Sequence, residues 1–167
     1  MTDKADRIAV CPGSYDPVTN GHLDIITRAS RIFDKVVVGV VNQPIRKKKT
    51  LFTAEERIAF IEDATSHLGN VEVQAFYTLL VEFARENGAR AIVKGLRAIS
   101  DFEYENEMAQ LNSKLDAEIE SIYVFARPEY SFLSSTGVKE MATFNGDVSD
   151  LVPAPVAAAL ADRLGRG

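Results

Sequence analysis

The unbroken apolar run Val36-Val-Val-Gly-Val-Val41 constrains this chain more than any other segment. A strand with one face in water alternates apolar with polar residues. A strand covered on both faces reads instead as a continuous β-branched run. The run therefore predicts a parallel sheet with helices on both sides, and the rest of the chain supplies matching pieces. Apolar runs at Ile8 to Val10, Ala91 to Val93 and Ser121 to Phe125, with an alternating segment at Val71 to Phe76, read as four further strands. Helical patterns lie between them. They run from His22 to Phe33, from the capping box Thr53-Ala-Glu-Glu56 to near Gly69, from Leu79 to Asn87 with Gly88 closing the turn, and from Ile99 to Leu115. Two more helices follow, one starting at Ser135 or Thr136 and reaching about Phe144, the other introduced by Pro153 and Pro155 and ending at Leu164. This alternation predicts an α/β fold: a single-domain, doubly wound, five-stranded parallel sheet with right-handed crossovers. The expected domain spans residues 1–167, with residues 1–6 as a polar N-terminal extension.

Composition narrows the partners. Hydrophobic residues make up 46% and charged residues 26%, as in ordinary globular domains, which argues against disorder. A net charge of −5 speaks against a general nucleic-acid binder, because such domains carry a basic face. Cys11 is the only cysteine, so no intrachain disulfide and no Cys-rich zinc site can form. His22 and His67 are the only histidines and lie in unrelated patterns, which makes a dedicated zinc site improbable. The opening residues lack the apolar core of a signal peptide, and no stretch has the apolar length of a membrane span. A cytoplasmic protein without nucleic-acid or membrane partners is expected.

In a doubly wound sheet, ligands bind beyond the carboxyl ends of the strands. The groups that follow the strands here are Gly13-Ser14, Lys94-Gly95-Leu96-Arg97, the segment Arg127 to Thr136, and the basic run Arg46-Lys47-Lys48-Lys49. Each has an ordinary structural reading beside a functional one. The turn from Cys11 to His22 is a plain βα turn or a phosphate cradle leading to a helix N-terminus. The basic run keeps a loop soluble or meets phosphate. Arg97 forms a surface ion pair with Asp101 or a bidentate phosphate contact. Ser134, Ser135 and Thr136 cap a helix or hold phosphate oxygens. The acidic run Asp101 to Glu107, and Asp116, Glu118 and Glu120, read mostly as solvated faces. The chain carries no nucleophile elbow, no Walker loop and no Gly-x-Gly-x-x-Gly turn. A donor-rich, phosphate-directed rim without a covalent catalyst suits phosphoryl or nucleotidyl transfer, which depends on positioning and charge stabilisation.

The motifs Gly13-Ser-Tyr-Asp-Pro17 and Thr19-Asn-Gly-His22 resemble the signature of the HxGH nucleotidyltransferase superfamily, which has a Rossmann-like fold. Lys94-Gly-Leu-Arg97, Asp101-Phe-Glu-Tyr-Glu105, Tyr130-Ser-Phe-Leu-Ser-Ser-Thr136, Gly146-Asp-Val and Leu151-Val-Pro153 narrow the resemblance to the bacterial phosphopantetheine adenylyltransferases. It extends from about Arg7 to Leu164. The resemblance implies Mg²⁺-assisted transfer of AMP from ATP to 4′-phosphopantetheine, giving dephospho-coenzyme A and pyrophosphate, the penultimate step of coenzyme A synthesis. It also implies a homohexamer subject to feedback by coenzyme A.

By the same correspondence His22 contacts ATP phosphate and stabilises transition-state charge, and Ser14 orients the attacking phosphate. Lys48, Lys94 and Leu80 fall on the phosphopantetheine side. Ser14, Tyr15, His22, Gly95, Leu96, Arg97 and Glu105 fall on ATP-binding positions, as do Tyr130, Ser131, Phe132, Leu133, Ser134, Ser135 and Thr136. His22, Lys48, Ser14 and Arg97 form the implied catalytic set; the metal ligands are not implied. Tyr15 replaces the usual phenylalanine and is expected to add a hydroxyl near the nucleotide. Lys94 stands where many members have arginine, while Leu133 and Thr136 vary an Ile-Ser-Ser-Ser pattern conservatively. The loop from Asn42 to Phe52 is about two residues longer than usual, and counting back from Phe52 selects Lys48 as its active lysine, whereas counting forward from Pro44 selects Arg46. Two competing readings are an adenylyl- or cytidylyltransferase acting on another acceptor, such as nicotinate mononucleotide, and a nucleotide-binding module without catalysis. The Lys94-to-Arg97 and Asp101-to-Glu105 motifs oppose the first, and retention of His22, Ser14 and a basic loop opposes the second.

Overall fold

The structure is a computed structural model that describes residues 6–42 and 49–165. Its strands and helices alternate: β1 (Ile8–Gly13), α1 (Asn20–Ile32), β2 (Lys35–Val41), α2 (Ala54–Thr65), β3 (Val71–Phe76), α3 (Leu80–Glu86), β4 (Ala91–Leu96), α4 (Ile99–Leu115), β5 (Glu120–Phe125), α5 (Ser135–Thr143) and α6 (Ala154–Leu164). A single 3-10 turn at Pro128–Tyr130 links β5 to α5. The five strands form one parallel sheet in the order β3-β2-β1-β4-β5. Among the described residues no helix is long and apolar enough to cross a membrane.

The valine run behaves as its composition requires. Val36, Val38 and Val40 pack into a core with Ile26, Ile61, Val156 and Leu160, beneath α1, α2, α5 and α6. Val37 points the other way and joins Phe76, Val81, Phe83 and Ile92 beneath α3. All four valines have no exposed surface, and each such burial is worth about 1.5–3 kcal/mol before chain entropy is counted. Gly39 interrupts the run for a packing reason. A Cβ there would stand 2.6 Å from the Phe83 ring and 3.0 Å from that of Phe76, two rings stacked 4.5 Å apart. α4 covers little, since Asn112 is its only buried residue.

The register explains where a ligand can enter. β1 pairs with β2 from Ile8↔Lys35 through Gly13↔Val40, but with β4 only at Ala9↔Ala91 and Val10↔Ile92. Beyond Val10 the two central strands part. Strand order also reverses direction there, so the crevice lies at the topological switch point. Pairing with the long β2 carries β1 three residues past the Val10 boundary read from hydrophobicity, because backbone ladder bonds do not need apolar side chains.

Candidate active site at the β1–β4 crevice

A cavity of about 500 Å³ opens between the carboxyl ends of β1 and β4, with the first turn of α5 closing it. Its central group is His22, and the capping of α1 puts it there. The helix begins at Asn20, two residues before the sequence-based boundary, because Thr19 is the N-cap and His22 occupies the third helical position. Capping boxes usually carry Glu or Gln at that position, and the imidazole replaces it here. The Thr19 amide donates to His22 Nδ1 at 3.0 Å, and the His22 amide donates to Thr19 Oγ1 at 3.4 Å. A main-chain N–H can only donate, so Nδ1 is the bare nitrogen and the neutral ring carries its proton on Nε2. Burial, with the Arg97 charge second, lowers the imidazole pKa to about 4. His22 is thus a neutral N–H donor over the physiological range.

Tyr15 supports the same ring. It sits at φ 49°, in the left-handed region that side-chain-bearing residues rarely adopt, and its ring meets His22 edge-on at 5.1 Å between centroids. The Tyr15 ring is buried, and its hydroxyl, the addition relative to phenylalanine, donates to the Cys11 carbonyl at 2.9 Å. Burial pushes the Cys11 thiol up to about 12, so this cysteine remains an uncharged packing group.

The basic groups of β4 are held by carboxylates from α4. Lys94 Nζ lies 2.8 Å from Glu105 Oε2, and Arg97 Nε lies 3.3 Å from Asp101 Oδ2. The ion pair between Arg97 and Asp101 is therefore present, yet Arg97 also spans the crevice to donate to the Leu133 carbonyl at 2.7 Å. Asp101 and Glu105 of the acidic run thus line the crevice, Glu105 being one of the positions the resemblance had marked. Gly95 allows α1 to approach: a Cβ there would stand 3.0 Å from Ile25 Cγ1. On the far wall Ser134 caps α5 by accepting from the Gly137 amide at 3.0 Å, and Ser135 Oγ donates to the Pro17 carbonyl at 2.8 Å. The capping reading of this cluster holds, and the positive end of α5 still borders the crevice.

Most residues singled out by sequence converge on the cavity. Tyr15 and His22 line it from the first turn, and Lys94, Gly95, Arg97 and Glu105 from the β4–α4 side. Tyr130, Leu133, Ser134, Ser135 and Thr136 line the wall formed by α5 and the segment before it. Ser14 is exposed beside the cavity, and Leu96 is buried at the end of β4. Ser131 turns its hydroxyl to the Pro128 carbonyl, while Phe132 is 70% exposed. Leu80 begins α3 and packs on the Phe76–Phe83 core, apart from the cavity lining. Lys48 and Arg46 lie outside the described residues.

Three residues escaped the sequence reading. Asp16 is buried and accepts the Leu51 and Phe52 amides, both at 2.9 Å, and Lys139 Nζ at 3.0 Å. Arg57 is buried beneath the Ser14 carbonyl. Asp16 stands in the Gly13-to-Pro17 signature without an assigned role, Lys139 reads as one of many surface lysines of a helix, and nothing local marks Arg57. Among the described residues no group of three or more His, Cys, Asp or Glu is arranged to hold a metal ion.

Comparisons with known proteins agree with this geometry. The cytidylyltransferase-like family matches residues 10–141. A phosphopantetheine adenylyltransferase of Heliobacterium modesticaldum is 52% identical over 158 residues, which cover 95% of this chain and 93% of that protein. The crystal structure of a protein assigned as a nicotinate-nucleotide adenylyltransferase, from Vibrio parahaemolyticus, shares the fold at a TM-score of 0.65 and 18% identity, over 93% of this chain and 91% of that one.

Proposed function

The chain belongs to the phosphopantetheine adenylyltransferase family, and we propose that the β1–β4 crevice is where it carries out that family's reaction. It is an enzyme that transfers AMP from ATP to 4′-phosphopantetheine, giving dephospho-coenzyme A and pyrophosphate. The acceptor phosphate attacks the α-phosphorus in line, and pyrophosphate leaves. An ionised phosphate is already a competent nucleophile, so the site needs donors and alignment rather than a general base. The observation that carries the mechanism is His22. Its Nε2–H is the only polar group the ring has left, and it borders the cavity as a neutral donor that strengthens as charge grows on a phosphate oxygen. Arg97 and the α5 N-terminus stabilise the leaving charge, with Glu105 and the segment Tyr130 to Thr136 holding ATP. Ser14 orients the acceptor phosphate, and Lys94, Lys48 and Leu80 serve the phosphopantetheine side.

Mg²⁺ would be supplied with ATP, since it is an ion that keeps water and rests largely on substrate phosphates. It would neutralise phosphate charge there. The working assembly is a cytoplasmic homohexamer of single-domain subunits. Exposed apolar side chains on α4, with Ile99 at 81% and Phe102 at 52%, support burial against other copies. Coenzyme A, which shares the product's adenylated pantetheine, acts as a feedback ligand of the same crevice.

The test is pyrophosphate release from MgATP with 4′-phosphopantetheine, run beside nicotinate mononucleotide. Acceptor-dependent release with phosphopantetheine alone is expected. Preference for the mononucleotide refutes the acceptor, and no acceptor-dependent release refutes the reaction. His22→Ala should lower turnover about a hundredfold or more, the scale for loss of one transition-state donor.

A further inference from the structure

Arg57 is the largest fully buried side chain of the described residues, at 1% exposure, and the mechanism above does not use it. A buried guanidinium ordinarily faces a carboxylate. Here the hydrogen bonds it makes among the described residues all end on main-chain carbonyls: Nη1 on Ser14 at 2.6 Å, Nη1 on Val41 at 2.9 Å and Nε on Thr53 at 3.3 Å. One side chain of α2 thus joins the β1–α1 turn to the end of β2 and to the start of its own helix.

The Ser14 carbonyl belongs to the peptide unit whose nitrogen is that of Tyr15. In a trans peptide the C=O and N–H point in opposite directions, so fixing one aims the other. Drawing the Ser14 carbonyl toward α2 turns the Tyr15 N–H away from α2. Tyr15 lines the cavity and holds a left-handed conformation, which persists only where the surroundings over-determine it. Asp16 fastens the other side of the same turn through the Leu51 and Phe52 amides and Lys139. Arg57 is the only one of these fastenings on the peptide that separates Ser14 from Tyr15.

We propose that Arg57 is a positioning residue for nucleotidyl transfer: it orients the Ser14–Tyr15 peptide so that the Tyr15 N–H faces the reacting phosphates. The proposal rests on the reaction assigned to the crevice. A group that aligns donors for the transition state, without touching substrate, changes kcat more than KM.

The experiment compares the full-length wild type with Arg57→Met, Arg57→Lys and Leu160→Ala in steady-state pyrophosphate release, with melting temperatures measured on the same samples. Arg57→Met keeps bulk and removes every donor, whereas Arg57→Lys keeps the charge and loses the fork. Leu160→Ala truncates a fully buried core residue of α6 and calibrates the effect of lost stability alone. Below their melting temperatures, kcat should fall about thirtyfold for Arg57→Met and about tenfold for Arg57→Lys, while KM for each substrate stays within about threefold, as for lost alignment of transition-state donors. Leu160→Ala should lower the melting temperature and leave kcat near wild type. If Arg57→Met does not fold, Arg57→Lys decides alone. Wild-type-like kcat in a folded Arg57 variant, or a loss matched by Leu160→Ala at equal stability, overturns the role of Arg57. A wild type without acceptor-dependent release overturns the reaction assignment first, and with it this proposal.

Discussion

Acidification should leave His22 uncharged through the range in which a free imidazole titrates. The Thr19 amide already occupies Nδ1 at 3.0 Å, and placing a proton on that nitrogen would set it against the amide hydrogen. Burial of the ring is the larger cause of the shift and the nearby Arg97 charge the smaller, and together they bring the pKa from 6.5 to about 4. At the ordinary midpoint a free imidazole is half protonated, whereas one with a pKa near 4 is charged in roughly 0.3% of molecules. The stability consequence has a definite sign. Between the two pKa values the unfolded chain binds a proton at this position that the folded chain does not, so stability rises with pH across that window. It is lost on acidification, by at most about 3 kcal/mol from this group. The measurement is a pH titration of ¹⁵N-labelled protein by long-range imidazole correlation spectra. With His22 and His67 the only histidines, a His67→Gln variant assigns the signals. His22 should show a bare Nδ1, a protonated Nε2 and no midpoint near 6.5, and kcat/KM should show no inflection from it there. A His22 midpoint near 6.5, or a proton on Nδ1, would refute the capping-box argument and with it the neutral donor.

Asp16→Asn should destabilise the fold by about 3 kcal/mol in urea unfolding, the low end for breaking a buried pair because Lys139 keeps some access to water. A loss under about 1 kcal/mol would mean the carboxylate is not the anchor of the turn. Gly39→Ala should cost about 1–3 kcal/mol in the same assay, since the new methyl group meets the Phe83 ring at 2.6 Å, and an unchanged midpoint would show that the stacked rings yield freely. Lys48→Ala should raise KM for 4′-phosphopantetheine about tenfold, the scale of one charge-assisted contact, while Arg46→Ala leaves it near wild type; the reverse result would exchange the two assignments.

The fold was legible because its determinants are short-range. Val36 to Val41 announces a strand covered on both faces, and Thr53-x-x-Glu56 announces a helix start that the structure closes with the Thr53 amide on Glu56 Oε2 at 2.8 Å and the Glu56 amide on Thr53 Oγ1 at 3.2 Å. The start of α1 was misread by two residues because histidine is not the residue expected at the third helical position, although Thr19-x-x-His22 has the same spacing. The bond from the Tyr15 hydroxyl to the Cys11 carbonyl was not legible either, because it belongs to a positive-φ turn that a tyrosine in a Pro- and Gly-rich segment does not advertise.

The residues that frame the site without touching it were not legible at all. Arg57 lies in a helix whose pattern shows Ile58 and Ile61 inward, and an arginine beside them reads as solvent-facing. Hydrophobic period, capping and turn chemistry depend on neighbours within about four residues, so strand order along the chain, the helix ends and the candidate phosphate donors can be read from letters. Whether a guanidinium or a carboxylate is buried depends on which carbonyls and amides other segments bring to it. For Arg57 and Asp16 those partners come from as far as 43 and 123 residues away. Desolvating a charge is costly unless every partner arrives together, so their places were decided only when β1, β2, α2 and α5 met.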